Sequence, residues 1–266
     1  MRLYMEFIKN AFLSSIAYRM DTFLHMLGKL LALFVQISIW YALFKGSSEV
    51  GSNMGTVTIS EMVSYTMIST FISIFVQNSC ISLIDHKINT GEIGMDLIKP
   101  MNFKLYLLSM MGGNIIFRII FEIIPLLAIG IPVFGLMIPT WLHFLLFLIA
   151  LINGAAVFFL LSYIFGLTGF WYISVWHFDR FLFSTTRLFS GAFIPLWFFP
   201  DVLNKVSSYL PFKSIYFVPI TIYLEKVGTA DALWLILQQL VWIGVLTIVE
   251  KAMWKNGIKK LVVQGG

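Results

Sequence analysis

The run WLHFLLFLIALINGAAVFFLLSYIFG, residues 141–166, contains no Asp, Glu, Lys or Arg. A helix of roughly 20 apolar residues crosses the ~30 Å hydrocarbon layer of a bilayer, so this stretch reads as a transmembrane span. Pro139 and Trp141 mark its interface. Working outward, five more runs read the same way. Residues 22–44 end in Trp40 and Tyr41, an interfacial aromatic pair. Residues 57–80 are rich in Ser and Thr, whose hydroxyls bond the preceding turn or a neighbouring helix. Residues 103–138 form a third span, kinked or broken in its second half by Pro125 and Pro132. A short fifth span covers 181–198, and the last, 231–253, is closed by Trp254. The expected fold class is therefore all-α, a polytopic membrane protein with six transmembrane helices.

Composition agrees. The chain has 266 residues, 59% hydrophobic and 12% charged, with a mean hydropathy of +0.89, which excludes an ordinary water-soluble domain. Six crossings leave room only for modest loops, so residues 1–266 are expected to form a single membrane domain. The net charge of +5 does not point to nucleic acid, because the basic residues flank the spans. Arg2, Lys9, Arg19, Lys87, Lys99, Lys104, Arg180, Lys251, Lys255, Lys259 and Lys260 fall on one side of a six-span arrangement. Lys45, Lys205, Lys213 and Lys226 fall on the other. By the positive-inside bias, both termini and the 81–102 loop are expected in the cytoplasm, beside anionic lipid. One cysteine, Cys80, excludes an intrachain disulfide.

The segments between spans carry their own patterns. Residues 1–20 read as an amphipathic helix rather than a signal peptide, with Tyr4, Phe7, Ile8, Ala11 and Phe12 on one arc and Arg2, Glu6, Lys9 and Asn10 on the other. Such a helix lies flat at a membrane surface. Lys45 to Thr56 is a polar, glycine-rich loop. Residues 81–102, ISLIDHKINTGEIGMDLIKPMN, place an apolar residue every three or four positions among charges, an amphipathic element outside the bilayer. Ile84, Ile88, Ile93, Leu97 and Ile98 are its candidate anchors for a protein groove. Asp85, Lys87, Glu92 and Asp96 are its candidate rim contacts. Residues 190–226 are too rich in proline for a plain span and too apolar for an aqueous loop, so short helices dipping into the outer leaflet are expected.

Few residues suggest chemistry. No GxxxxGK[ST] loop is present to wrap nucleotide phosphates. His25, His86, His143 and His177 lie far apart and show no metal-binding spacing. Charges inside spans are sharper signals, since an ion at the bilayer centre costs about 2.5–3.5 kcal/mol on insertion scales. Arg118 and Glu122, spaced i,i+4 in the third span, share one helix face and either pair structurally or line a polar path. Asp21, His25 and Lys29 form another such series at the start of the first span, read as a hinge. Arg187, in the fifth span, has no acidic neighbour at helical spacing and pairs either with another helix or with a lipid phosphate.

In this order of elements the chain resembles the ABC-2 type permeases, the membrane subunits of a class of bacterial ATP-binding-cassette exporters. The segments that carry the resemblance are TGEIGMDLIKPMNF at 90–103 and SGAFIPLWFFP…LPF at 190–212. The first looks closest to a branch in which two different permease chains pair with an ATPase. The resemblance implies a coupling helix between spans two and three, in which Ile84, Asp85, Lys87, Ile88, Glu92, Ile93, Asp96 and Leu97 contact an ATPase dimer. It implies that Phe193, Trp197, Phe198 and Phe199 close the path on the outer side. It further implies no cofactor in this chain, with ATP and Mg on the partner, a bacterial cytoplasmic-membrane location, and a sister permease rather than a second copy of this chain. The cargo class it implies is hydrophobic or amphipathic, a drug, lipid or peptide-like compound. An ion-coupled secondary transporter would need paired broken helices and midplane ionisable groups, for which only Arg118 and Glu122 qualify. A membrane-embedded enzyme or assembly factor would show clustered Asp, His or Ser.

Overall fold

The computed structural model describes residues 2–17, 19–47, 49–53, 55–76 and 79–260. In chain order, α1 (Arg2–Ala17) and α2 (Arg19–Phe44) lead to a two-stranded antiparallel hairpin, β1 (Glu49–Ser52) and β2 (Gly55–Thr58). Then come α3 (Ile59–Val76), α4 (Ile81–Asn89) and α5 (Glu92–Ile98). Next, α6 (Phe103–Arg118) runs through a π turn at Ile119–Ile123 into α7 (Ile124–Phe134). The remaining helices are α8 (Trp141–Leu167), α9 (Phe178–Phe189), α10 (Asp201–Ser208), α11 (Phe217–Tyr223) and α12 (Thr229–Ile258). Among the described residues, five helical stretches are long and apolar enough to cross a membrane: α2, the stretch that α3 opens, α6–α7, α8 and α12. The chain is an all-α, multi-pass membrane protein.

α8 is the hub. From Val157 to Tyr163 every residue is buried, as expected of a helix that is apolar all round. α12, α11 and α4 all pack on it. Gly154, near its middle, lets the backbone at Ser214 and Ile215 approach so closely that a Cβ would stand 2.8 Å from the Ser214 carbonyl oxygen. Gln239 of α12 is fully buried at the same level, and its Nε2 donates to both the Ala150 carbonyl (3.0 Å) and the Ser214 carbonyl (2.8 Å). In hydrocarbon a carbonyl without a donor is expensive, so a side-chain amide is needed where a short 3-10 turn, Pro211–Ser214, brings non-helical backbone against the hub.

The expected fifth span, 181–198, differs in form. α9 has 12 residues and is about 18 Å long, short of the hydrocarbon thickness. It stops at Phe189, and the chain opens into irregular backbone with Gly191 at φ +79°, a conformation that glycine adopts without strain. Four successive carbonyls are freed there, and each has a donor. Phe217 N–H bonds Ser190 O (3.0 Å), Tyr65 Oη bonds Gly191 O (2.6 Å), Ser69 Oγ bonds Ala192 O (2.6 Å) and Gln36 Nε2 bonds Phe193 O (3.1 Å). The polar residues of α2 and α3 thus act as substitutes for a missing helix. Beyond the break, Asn53 of the hairpin region donates to Trp197 O from its backbone and to Phe199 O from its side chain, both at 3.1 Å.

Two further expectations change. α1 does not turn its apolar arc to lipid; it lies along α6, where Gly113 receives Ile8, Ala11 and Phe12, and Tyr4 Oη accepts from Asn102 N–H (3.0 Å). Two glycines in a row, Gly112 and Gly113, give α6 the flat surface that makes protein a closer fit than headgroups. In the third span the irregularity begins before the prolines. The Ile124 N–H bonds Ile119 O across a π turn, just ahead of Pro125, whose missing N–H leaves a carbonyl of the preceding turn without its helical donor. The helix ends at Phe134, with Gly135 at φ +73°. Gly154→Val should lower stability by about 1–3 kcal/mol by overpacking the hub, read as an earlier thermal transition of the detergent-solubilised protein.

Candidate transport site

The cytoplasm-expected element, α4–α5, is amphipathic, but its charges as well as its isoleucines turn inward. Ile84 and Ile93 are fully buried, and Asp85, Lys87 and Asp96 are buried too. Ile84 packs on Gly166 at the end of α8, where a Cβ would come within 2.6 Å of its Cδ1, and Ile88 lies against Gly169. Lys87 Nζ donates to Asp96 Oδ2 (2.6 Å) and Lys99 Nζ to Asp96 Oδ1 (2.8 Å), so one carboxylate clasps α5 to α4. Burial would raise the Asp96 carboxyl, but the hydrogen bonds and charges of Lys87 and Lys99 outweigh it and hold it below the ordinary carboxylate range. Lys99, bonded to Asp96, is raised in turn.

The same element reaches α9. Asp85 Oδ1 accepts from the Val175 N–H (3.1 Å) and from Asn89 Nδ2 (3.0 Å), and Ser82 Oγ bonds Asp179 in the first turn of α9. What α5 leaves outward is Met95 and Ile98, 67% and 86% exposed, beside Glu92. Of the eight residues expected to meet an ATPase, Ile84, Asp85, Lys87, Ile93 and Asp96 are buried within the chain. Glu92 is exposed, and Ile88 and Leu97 are half-buried. The apolar face that suggested a docking surface is satisfied by the chain's own α8.

Deeper in, Glu122 sits in the π turn and is nearly buried. Its closest partner is Lys29 of α2, Nζ to Oε2 at 2.8 Å, while Arg118 Nε lies 3.8 Å from Oε1. The expected i,i+4 pair is thus the weaker half of a three-residue cluster that ties α2 to the π turn. A cavity of about 280 Å³ beside it is walled by Asp21, His25, Lys29, Asn114, Arg118 and Glu122. Lys29 also borders a second cavity, of about 200 Å³, among α2, α3 and α9. Its walls include Gln36, Ser69, Thr70, Ser73, Thr186 and Arg187, with Leu33, Phe158, Phe183, Phe193 and Tyr216 supplying apolar surface. Polar side chains facing one space inside a membrane bundle mark a path or a binding place.

Among known proteins, a family profile described as ABC-2 family transporter protein matches residues 22–265. The chain belongs to the ABC-2 transporter family. No match is found among curated proteins. As an ABC-2 permease it is a membrane-spanning component of an ATP-binding-cassette transporter, a family that works with an ABC ATPase.

In this ABC-2 permease the aromatic residues expected on the outer side divide. Trp197 is 1% exposed, wedged against Tyr65 (5.2 Å between ring centroids) and Phe217 (5.6 Å), and Phe198 stacks on Trp40 at 6.0 Å. These hold the irregular segment after α9 against α2 and α3. Phe199 is half-buried and accepts from Asn53 through its carbonyl. Phe193 is exposed, and its ring lies 5.6 Å from the Arg187 guanidinium carbon, which Phe183 flanks at 5.5 Å. Sequence reasoning had named Arg187 but missed Lys29 as the partner of Glu122, because an inter-helix pair leaves no spacing signal. It also missed Thr186.

Two outcomes are expected. Glu122→Leu should destabilise the permease by about 2–4 kcal/mol by taking the carboxylate from Lys29, and Lys29→Met/Glu122→Leu should recover most of that loss, read by thermal unfolding in detergent. The Asp96 clasp, with its carboxyl lowered in the folded state, should be intact above the unfolded carboxylate value of about 3.9 and weaken only as pH falls through the lowered one. Hydrogen exchange of residues 92–99, corrected for intrinsic rates, should stay slow at pH 5–7 and quicken below that range.

Proposed function

We propose that the chain is a permease subunit of a bacterial exporter, forming the substrate path with a second, sister permease and driven by a separate ATPase dimer that holds ATP and Mg. Both termini and α4–α5 face the cytoplasm, where the Lys and Arg bias would set them. The observation that carries the reading is the construction of α4–α5, rigid within, latched to α8 and α9, and apolar at its outer tip. Met95 and Ile98 serve as the anchors for the ATPase groove, with Glu92 at the rim. A push on them travels through the Lys87–Asp96 clasp to α4, then by Ile84 to the hub and by Ser82 and Asp85 to the start of α9.

Only a rigid-body response is available to such a lever, since the buried ion pairs leave α5 little freedom to bend against α4. α9 then tilts relative to α2 and α3 and reshapes the cavity they enclose. The aromatic break above it, with exposed Phe193, opens or shuts the outer side. The cargo is hydrophobic or amphipathic, in keeping with a cavity whose walls mix aromatic rings with hydroxyls and cations.

Affinity purification of the wild-type chain from its native membrane should bring down a protein carrying a GxxxxGK[ST] loop and a second permease-like chain. Met95→Asp/Ile98→Asp should reduce recovery of the ATPase by about tenfold or more, as loss of a hot spot does. Its thermal transition should stay within about 0.5 kcal/mol of wild type because both side chains are exposed. Full recovery with the double variant, or cargo movement by the purified chain without nucleotide, refutes the exporter reading.

A further inference from the structure

The cavity among α2, α3 and α9 has features that a generic apolar path does not need. Among the described residues its wall carries two cations, Lys29 and Arg187, and no carboxylate. Lys29 is neutralised from the far side by Glu122, which faces the other cavity. Arg187 is not: among the described residues no carboxylate lies within ion-pair distance, and its charge rests between the rings of Phe183 and Phe193. Ring faces attract a cation, but they leave the in-plane N–H donors of the guanidinium unused. Arg187 is exposed on α9 where it borders this cavity, and a guanidinium with no carboxylate beside it among the described residues offers a place for a counter-ion.

A second observation comes from the residue before it. Thr186 is 3% exposed and lines the same cavity, and its Oγ1 is shielded from solvent with no hydrogen-bond partner among the described residues. Threonine in a membrane helix normally bonds a carbonyl of the preceding turn, as Thr66 and Thr70 do here. A buried hydroxyl without a partner is destabilising unless something supplies one. A cation with free donors and an idle hydroxyl, adjacent in sequence on the wall of one cavity, together describe an oxyanion site. At about 200 Å³ the space is smaller than pockets that enclose whole drug-sized ligands, and it suits a headgroup. Leu31, Phe34 and Val35 of α2 and Leu188 of α9 are exposed nearby in sequence, on helices that would lie against acyl chains.

We propose that this cavity binds the anionic headgroup, phosphate or carboxylate, of an amphiphile, with Arg187 donating to the oxyanion and the Thr186 hydroxyl donating beside it. The chains of the amphiphile stay outside, along α2 and α9. This rests on the exporter reading for its role as cargo site, but the binding itself does not require an ATPase. It also gives α9 a task in coupling, because the helix whose first turn is bonded to α4 carries the anion site near its last turn.

The full-length protein in detergent, titrated with phosphatidylglycerol or phosphatidylcholine and read by native mass spectrometry, tests it. Wild type should retain phosphatidylglycerol at least about tenfold more strongly than phosphatidylcholine, and Arg187→Gln should erase the difference. Arg187→Lys should keep part of it. Thr186→Val, which preserves shape, should weaken retention about threefold or more, and it guards against misfolding of the arginine variants. Millimolar inorganic phosphate that displaces the lipid identifies a free oxyanion as the smaller ligand of the same site, and failure to displace it assigns the site to the amphiphile. Unchanged retention in both Arg187→Gln and Thr186→Val, as would follow if a carboxylate of a second permease chain filled the site, overturns the proposal. Loss of ATPase recovery from wild type with headgroup binding intact would instead strike the exporter reading alone.

Discussion

A peptide carbonyl in hydrocarbon must find a donor, and the arrangement of this permease follows from how that demand is met at Ser190–Phe193. Where α9 stops inside the bundle, four consecutive carbonyls are taken up by Phe217 N–H, Tyr65, Ser69 and Gln36. Each donor comes from a different turn or helix, so α2, α3 and α11 are held in register around the break. Remove the break and these polar residues would themselves be stranded in an apolar bundle. The same constraint explains why a helix as polar as α3 lies in the middle of the fold.

That break also sets what α9 can do. A continuous span would be gripped by neighbours along its whole length, whereas a 12-residue helix is fixed at its two ends by hydrogen bonds: to α4 at its first turn, and through the backbone that follows its last. Movement of α4 therefore has a short, stiff route to the cavity where Thr186 and Arg187 sit. On the other flank, Lys29 and Glu122 join α2 to the π turn of the third span, so a tilt of either helix is felt by both cavities.

Much of the fold was legible in the sequence because hydrophobic length is a strong signal. The run at 141–166 and the punctuation of Gly91, Gly94 and Pro100 located α8 and α4–α5 within a few residues, and the family match agrees with the likeness seen in 90–103 and 190–212. The stretch expected as a fifth span is helical only to Phe189: apolar residues continue through 190–198, and nothing in their hydropathy reports that the backbone leaves the helix. That the isoleucines of α4 and α5 pack on the chain itself was not legible, because an amphipathic helix looks alike whether its apolar face meets a partner or its own chain. The site was half legible. Arg187 stood out as a charge without a local partner, but Thr186 is one threonine among many until its neighbours in space are known.

Gln239 has a mechanical consequence. By clamping α8 and the Pro211–Ser214 turn from α12 with one amide nitrogen, it welds these three parts into a block without internal play. If that block is the stator, α9 is the moving part, and the line of slip runs along the seam where the hydroxyl-rich α3 meets the irregular backbone that follows α9. Hydrogen bonds there are made by side chains that rotate, not by a continuous ladder, so they exchange one partner at a time. A machine built this way yields along its polar seam while its greasy block keeps shape.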